Sequence, residues 1–196
     1  HPIPRRQRQM CIRDRSEYLV KNTDVLDSVI APEFWEIWPS RKILSSELEL
    51  ILKSEMDYEA KLDLTRRWCK EWQFKIGVHY LRSQISAKRA GAQYAELAEI
   101  TLSIIWNEVL FEFAKKFGPE PGNGAAVISM GSLGSGVLHA NSDLDLIIIY
   151  DADGNDQSEG HRSLSARQYY SRLTKAFITA ISAPMTEGRL YEIDMR

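Results

Sequence analysis

The sequence predicts an α+β protein, an N-terminal helical region packed on a small mixed β-sheet. Three observations carry this. Apolar residues recur at helical spacing through much of the first half of the chain. A Gly/Pro-rich break, GPEPGNG, then runs from Gly118 to Gly124. Beyond it, short β-branched runs take over from the helical period.

The bulk numbers bound the answer before any motif is read. A chain of 196 residues that is 44% hydrophobic can bury a sizeable core. Its formal net charge of -2 is not the footprint of a bulk nucleic-acid binder, so no nucleic-acid partner is expected. Two cysteines, Cys11 and Cys69, make neither a disulfide framework nor a CxxC pair. A reducing, cytoplasmic setting is the default for such a chain. No run is long and apolar enough to span a bilayer, so no membrane partner is expected. The opening HPIPRRQRQMCIRDRS is charged and aperiodic, with no apolar h-region of a signal peptide. Residues 1–16 are therefore read as a disordered or foreign tail, 17–118 as the helical region, and 119–196 as a sheet-bearing core, truncated at its C-terminus.

Within the helical region, SSELELILKSE reads as a helix after the prolines at 32 and 39. A longer helix is predicted from Asp57 to Arg82, with Leu62, Thr65, Cys69, Trp72 and Ile76 on its apolar stripe. Arg66, Arg67, Lys70 and Lys75 fall largely off that stripe and are read as a solvated face. RSQIS breaks the pattern, and Ser86 is a good N-cap for a third helix ending near Phe117. On that helix Ala90, Tyr94, Leu97, Thr101 and Ile104 make one face. After the break, AAVISM reads as a strand. DLDLIIIYD reads as a second, central strand, its later half apolar on both faces. A helix returns from about Ser165 to Ser182, with Tyr170, Leu173, Phe177 and Ile181 on one face. GRLYEIDMR alternates like a half-buried strand.

The chemistry concentrates in MGSLGSGVLHANSDLDLIIIY, from Met130 to Tyr150. Side chains alternate across a strand, so Asp143 and Asp145 share a face. Two carboxylates that close repel and need compensation. A hard divalent cation with oxygen ligands, magnesium, is the natural partner, together with substrate phosphates. Asp194 falls on one face of the last strand with Glu192 and Arg196 and can join the pair if the two strands are neighbours. Three carboxylates on adjacent strands suit a two-metal clamp for phosphoryl-type transfer. The turn at Gly131 and Ser132, with Gly134 and Gly136 beyond, offers backbone N–H groups to phosphate oxygens. It is neither a Walker A loop nor a Rossmann fingerprint. His79, His139 and His161 show no metal-ligand spacing, and Arg189 and Arg196 are secondary candidates for phosphate contact.

A Gly-Ser turn, a spacer and an Asp-Leu-Asp-Leu strand resemble the signature of the nucleotidyltransferase superfamily, which shares the polymerase beta fold. Together with GRLYEIDMR and the helical stretch FKIGVHYLRSQISAKRAGAQYAELAE, the motif is similar to the glutamine synthetase adenylyltransferase/adenylyl-removing family. The resemblance covers about Phe34 to Arg196. It implies a polymerase beta-like core in which Asp143, Asp145 and Asp194 are catalytic metal ligands for two magnesium ions. It places Gly131, Ser132 and Ser142 in the nucleotide-binding set, with ATP as substrate. It implies AMP transfer to a tyrosine of glutamine synthetase, or phosphorolytic removal of that AMP, and a PII-type nitrogen signal protein as a further partner. The family usually has lysine at the position of Ser132, whereas serine is usual in the wider superfamily. Two other readings stay open: a nucleotidyltransferase with another acceptor, such as a nucleic-acid end, and a non-catalytic domain that binds nucleotide.

Overall fold

A computed structural model describes residues 38–154 and 156–195. The N-terminal tail and Arg196 therefore lie outside the described residues. Among the described residues three helices come first: α1 (Arg41–Lys53), α2 (Tyr58–Leu81) and α3 (Ala87–Phe117). They are followed by β1 (Gly124–Ser129), a single turn α4 (Gly131–Gly134), β2 (Leu144–Asp151), α5 (Ala166–Ser182) and β3 (Ile193–Met195).

The helix ends follow their capping residues. The Asp57 carboxylate accepts from the Ala60 N–H at 2.8 Å and starts α2. The Ser86 hydroxyl accepts from the Arg89 N–H and starts α3. Gly118, with φ of +86°, stops α3 where an L side chain would be strained. At 31 residues α3 is ~46 Å long. It is the spine of the molecule: the predicted face of Ala90, Tyr94, Leu97, Thr101 and Ile104 is buried throughout. α1 buries Leu44, Leu48 and Leu52. On α5, Tyr170, Leu173, Phe177 and Ile181 are all buried, as their spacing predicts. Edge-to-face pairs join α3 to α5, Trp106 with Phe177 at 5.0 Å and Phe113 with Tyr169 at 4.9 Å.

Among the described residues the sheet is three-stranded in the order β1-β2-β3. β1 and β2 are antiparallel, while β2 and β3 are parallel, so the sheet is mixed. Leu144 and Leu146 of β2 are fully buried and join the helical core. Farther along the same face, Tyr150 stacks on Tyr170 at 4.4 Å. The joint after α3 is pinned from α5, where the Tyr169 hydroxyl donates to the Gly118 carbonyl and the Tyr170 hydroxyl to that of Pro121.

Three expectations are corrected. β2 is central, but its later half is not buried on both faces: Ile149 is 54% exposed, because among the described residues no helix covers that side at this end. Among the described residues the final strand begins at Ile193 and runs to Met195, since Leu190 and Tyr191 are both buried in succession and break the alternation. Arg66 is not on a solvated face but fully buried, its guanidinium satisfied by backbone carbonyls from elsewhere in the chain.

Candidate active site

The glycine turn is built by close backbone approach. Gly131 has a φ of +52°, and a Cβ there would collide with the Asp145 carboxylate, so this position takes only glycine. At Gly134 a Cβ would meet the Ser129 carbonyl at 2.6 Å. Leu133 points the other way and is buried, anchoring the turn in the core. The Met130 N–H donates to the Asp145 carbonyl at 2.9 Å, tying the start of the turn to β2. Gly131 and Ser132 are exposed at the surface of this turn.

The helical region supports the turn from behind. The Leu138 N–H donates to the Gly91 carbonyl of α3 at 3.1 Å. A Cβ on Gly91 would lie 2.9 Å from the Val137 side chain and 3.4 Å from the Leu138 carbonyl. Glycine inside α3 costs about 1 kcal/mol against alanine and is explained by this approach. Sequence reading passed over Gly91 because nothing local distinguishes it.

β2 and β3 bring the acidic residues together. Asp145 stands opposite Asp194 in the parallel register, so both lie on one face of the sheet. Asp145 is half-buried and Asp194 exposed. Asp143 is exposed one residue ahead of β2, and alternation turns it toward the same side as Asp145. Ser142 makes a local turn: its hydroxyl accepts from the His139 N–H at 3.2 Å. Arg189 pairs with Glu192 at 2.8 Å on the surface.

Behind β3 lies a buried polar cluster that the sequence did not announce. The Tyr191 hydroxyl meets the Cys69 sulfur at 3.3 Å and accepts from the Gln73 amide at 3.2 Å. Burial pushes the Cys69 thiol up to about 11 and the Tyr191 phenol well above its usual value. Both are neutral at pH 7 and serve structure.

The oxygen donors at the sheet edge suit a hard cation such as magnesium. Among the described residues no three His, Cys, Asp or Glu side chains form a ready metal cluster. Magnesium does not require one, since it keeps waters and phosphate oxygens beside one or two carboxylates. A glycine turn packed on a carboxylate of this pair is an arrangement that can place a polyphosphate next to a metal. A family model described as glutamate-ammonia ligase adenylyltransferase matches residues 15–196. The chain belongs to this adenylyltransferase family. A bifunctional glutamine synthetase adenylyltransferase/adenylyl-removing enzyme of Brucella suis is 38% identical over 182 residues, 92% of this chain and 18% of that protein. Enzymes of the same name from Mesorhizobium japonicum and Xanthobacter autotrophicus are 37% and 35% identical over 91% and 92% of the chain. The chain spans 18% of the length of each of these adenylyltransferases. Among the described residues no helix is long and apolar enough to cross a membrane.

Proposed function

We propose that the chain carries a magnesium-dependent nucleotidyltransferase site that moves AMP from ATP to a tyrosine hydroxyl of glutamine synthetase. The observation that carries this reading is the register of Asp145 against Asp194 beside a glycine turn that packs on the Asp145 carboxylate. Family membership supports the reaction class, and the printed name of the relatives supports the acceptor.

In this reading Asp143, Asp145 and Asp194 hold the magnesium. When bound, magnesium supplies charge neutralisation of the triphosphate and a more acidic acceptor hydroxyl. The exposed backbone of Gly131 and Ser132 lies against the phosphates, with Ser142 bordering the site. The tyrosine oxygen attacks the α-phosphorus, a new O–P bond forms, and the bond to the β-phosphate oxygen breaks. Pyrophosphate leaves, and Asp194 takes the hydroxyl proton. A PII-type signal protein belongs to this proposal as a regulator. A second reading is favoured by the relatives' name, which carries both activities: phosphorolytic removal of AMP at the same carboxylates.

The test is incorporation of radiolabelled AMP from ATP into unmodified glutamine synthetase with magnesium. Incorporation that disappears in Asp145→Asn supports transfer. ADP release from adenylylated enzyme and phosphate, without incorporation, assigns the removing reaction. Magnesium-dependent ATP binding without turnover in either direction makes the domain a nucleotide-binding regulator.

A further inference from the structure

We propose that Arg66 is a positioning residue that fixes the register of β3, and with it Asp194, by clamping the chain between α5 and β3 onto α2. The inference rests on the reading of Asp194 as a metal ligand only for its functional consequence. The clamp itself stands on geometry.

Arg66 is fully buried, and its guanidinium is bound to carbonyls alone. Its Nε donates to Gly188 at 2.9 Å, and Nη1 to Leu62 of its own helix at 2.9 Å. Its Nη2 donates to Ala180 at 2.6 Å and to Ala183 at 3.2 Å. The Ala180 carbonyl belongs to the last turn of α5 and that of Ala183 to its C-cap, where the helix dipole is negative and a cation is favoured. Gly188 closes a tight turn with Met185 and has a φ of +83°. Neighbouring α2 residues hold the same segment. Asp63 accepts from the Glu187 N–H, and Arg67 pairs with the Glu187 carboxylate at 3.0 Å. One and two turns on, Cys69 and Gln73 hold the Tyr191 hydroxyl. Pairing with β2 begins at once, as the Leu144 N–H donates to the Glu192 carbonyl at 2.9 Å.

Among the described residues β3 pairs with β2 over Ile193–Met195. A slip of one residue in that pairing would send Asp194 to the opposite face. The α2 rail removes that freedom. A planar fork that reaches carbonyls in three places cannot be copied by a lysine, which presents one compact charge.

The test uses the whole chain with Arg66→Lys, Arg66→Met, Tyr191→Phe, Asp194→Asn and, as a control for general loosening, Leu48→Ala. Mn2+ binding is followed by electron paramagnetic resonance, and amide hydrogen exchange is followed at Leu144 and Asp194, whose N–H groups face the partner strand in this parallel register. Arg66→Lys and Tyr191→Phe are expected to weaken Mn2+ binding about tenfold and to speed exchange at these amides. Leu48→Ala, compared at equal distance below its own melting midpoint, is expected to do neither. Unchanged exchange in folded Arg66→Lys and Tyr191→Phe overturns the clamp. Equal loss in Leu48→Ala also overturns it. If Asp194→Asn leaves Mn2+ binding intact, the metal reading fails instead, and the exchange arm still decides the clamp.

Discussion

The helical region and the sheet solve opposite problems. α3 buries residues on several faces along its length, from Ala90 to Phe113, and has little surface to spare. β2 buries Leu144 and Leu146 on one side and leaves Asp145 half-buried under the glycine turn and Ile149 exposed on the other. Stability is thus concentrated where no chemistry is proposed. The proposed chemistry sits on a face that must stay open to a nucleotide and a protein acceptor. Beyond the core they share around Leu144 and Leu146, the two regions meet through specific contacts, Gly91 under the glycine turn and α2 under the approach to β3. If this division holds, substitutions in the sheet should cost activity, and substitutions in the helices should cost stability.

The largest effect is expected at the carboxylates. Asp143→Asn or Asp145→Asn should abolish AMP transfer while the thermal midpoint, measured without magnesium, holds or rises slightly as like-charge repulsion is relieved. A clear fall in midpoint for both would make the pair structural and break the comparison. Next comes the core. Leu97 is fully buried on α3, and Leu97→Ala should cost about 2–5 kcal/mol in a denaturant titration. Below its midpoint the variant should keep its affinity for ATP.

Alkaline pH should act on the joint between the regions. Burial raises the phenols of Tyr169 and Tyr170 to about 12, and each donates its proton to a carbonyl of the α3–β1 connection. A folded-state value raised above the unfolded one gives stability that is fully present below the unfolded value. That stability is lost as pH rises through the folded one. With Cys69 raised from 9.0 to about 11 in the same sense, the midpoint should be flat to about pH 9 and fall steadily above it. Tyr170→Phe should flatten part of that fall, and no change in slope would remove Tyr170 from the account.

The smallest effect on stability sharpens the comparison most. In Gly91→Ala the gain in helix propensity, about 1 kcal/mol, opposes the push against Val137, whose exposed side chain can turn aside. The net change in stability should stay within about 1 kcal/mol. Affinity for ATP should nevertheless fall, because the contact lies beneath the turn. Unchanged affinity would confine Gly91 to helix packing.

How much could be read in advance depends on the range of the interaction that decides each feature. Ser86 as a cap, the stop at Gly118 and the α5 stripe are set within a turn or two of helix, so spacing and residue type sufficed. That Asp143 and Asp145 share a face could be posed from strand alternation alone. The membership of Asp194 could be posed from the alternation of the last segment, but only the pairing of β2 with β3 sets it opposite Asp145. Arg66 was misread because helical position alone says nothing about a carbonyl cluster 114 to 122 residues farther along the chain.

The sequence by itself therefore determined the element types, the glycine turn, the acidic pair and the family resemblance, since these rest on local periodicity and contiguous motifs. Tertiary structure decided which residues of β2 are covered, where β3 begins, what Gly91 packs against and why an arginine is buried. Each of those is fixed by a contact between segments far apart in sequence, where desolvation, steric approach and carbonyl partners outweigh local preference.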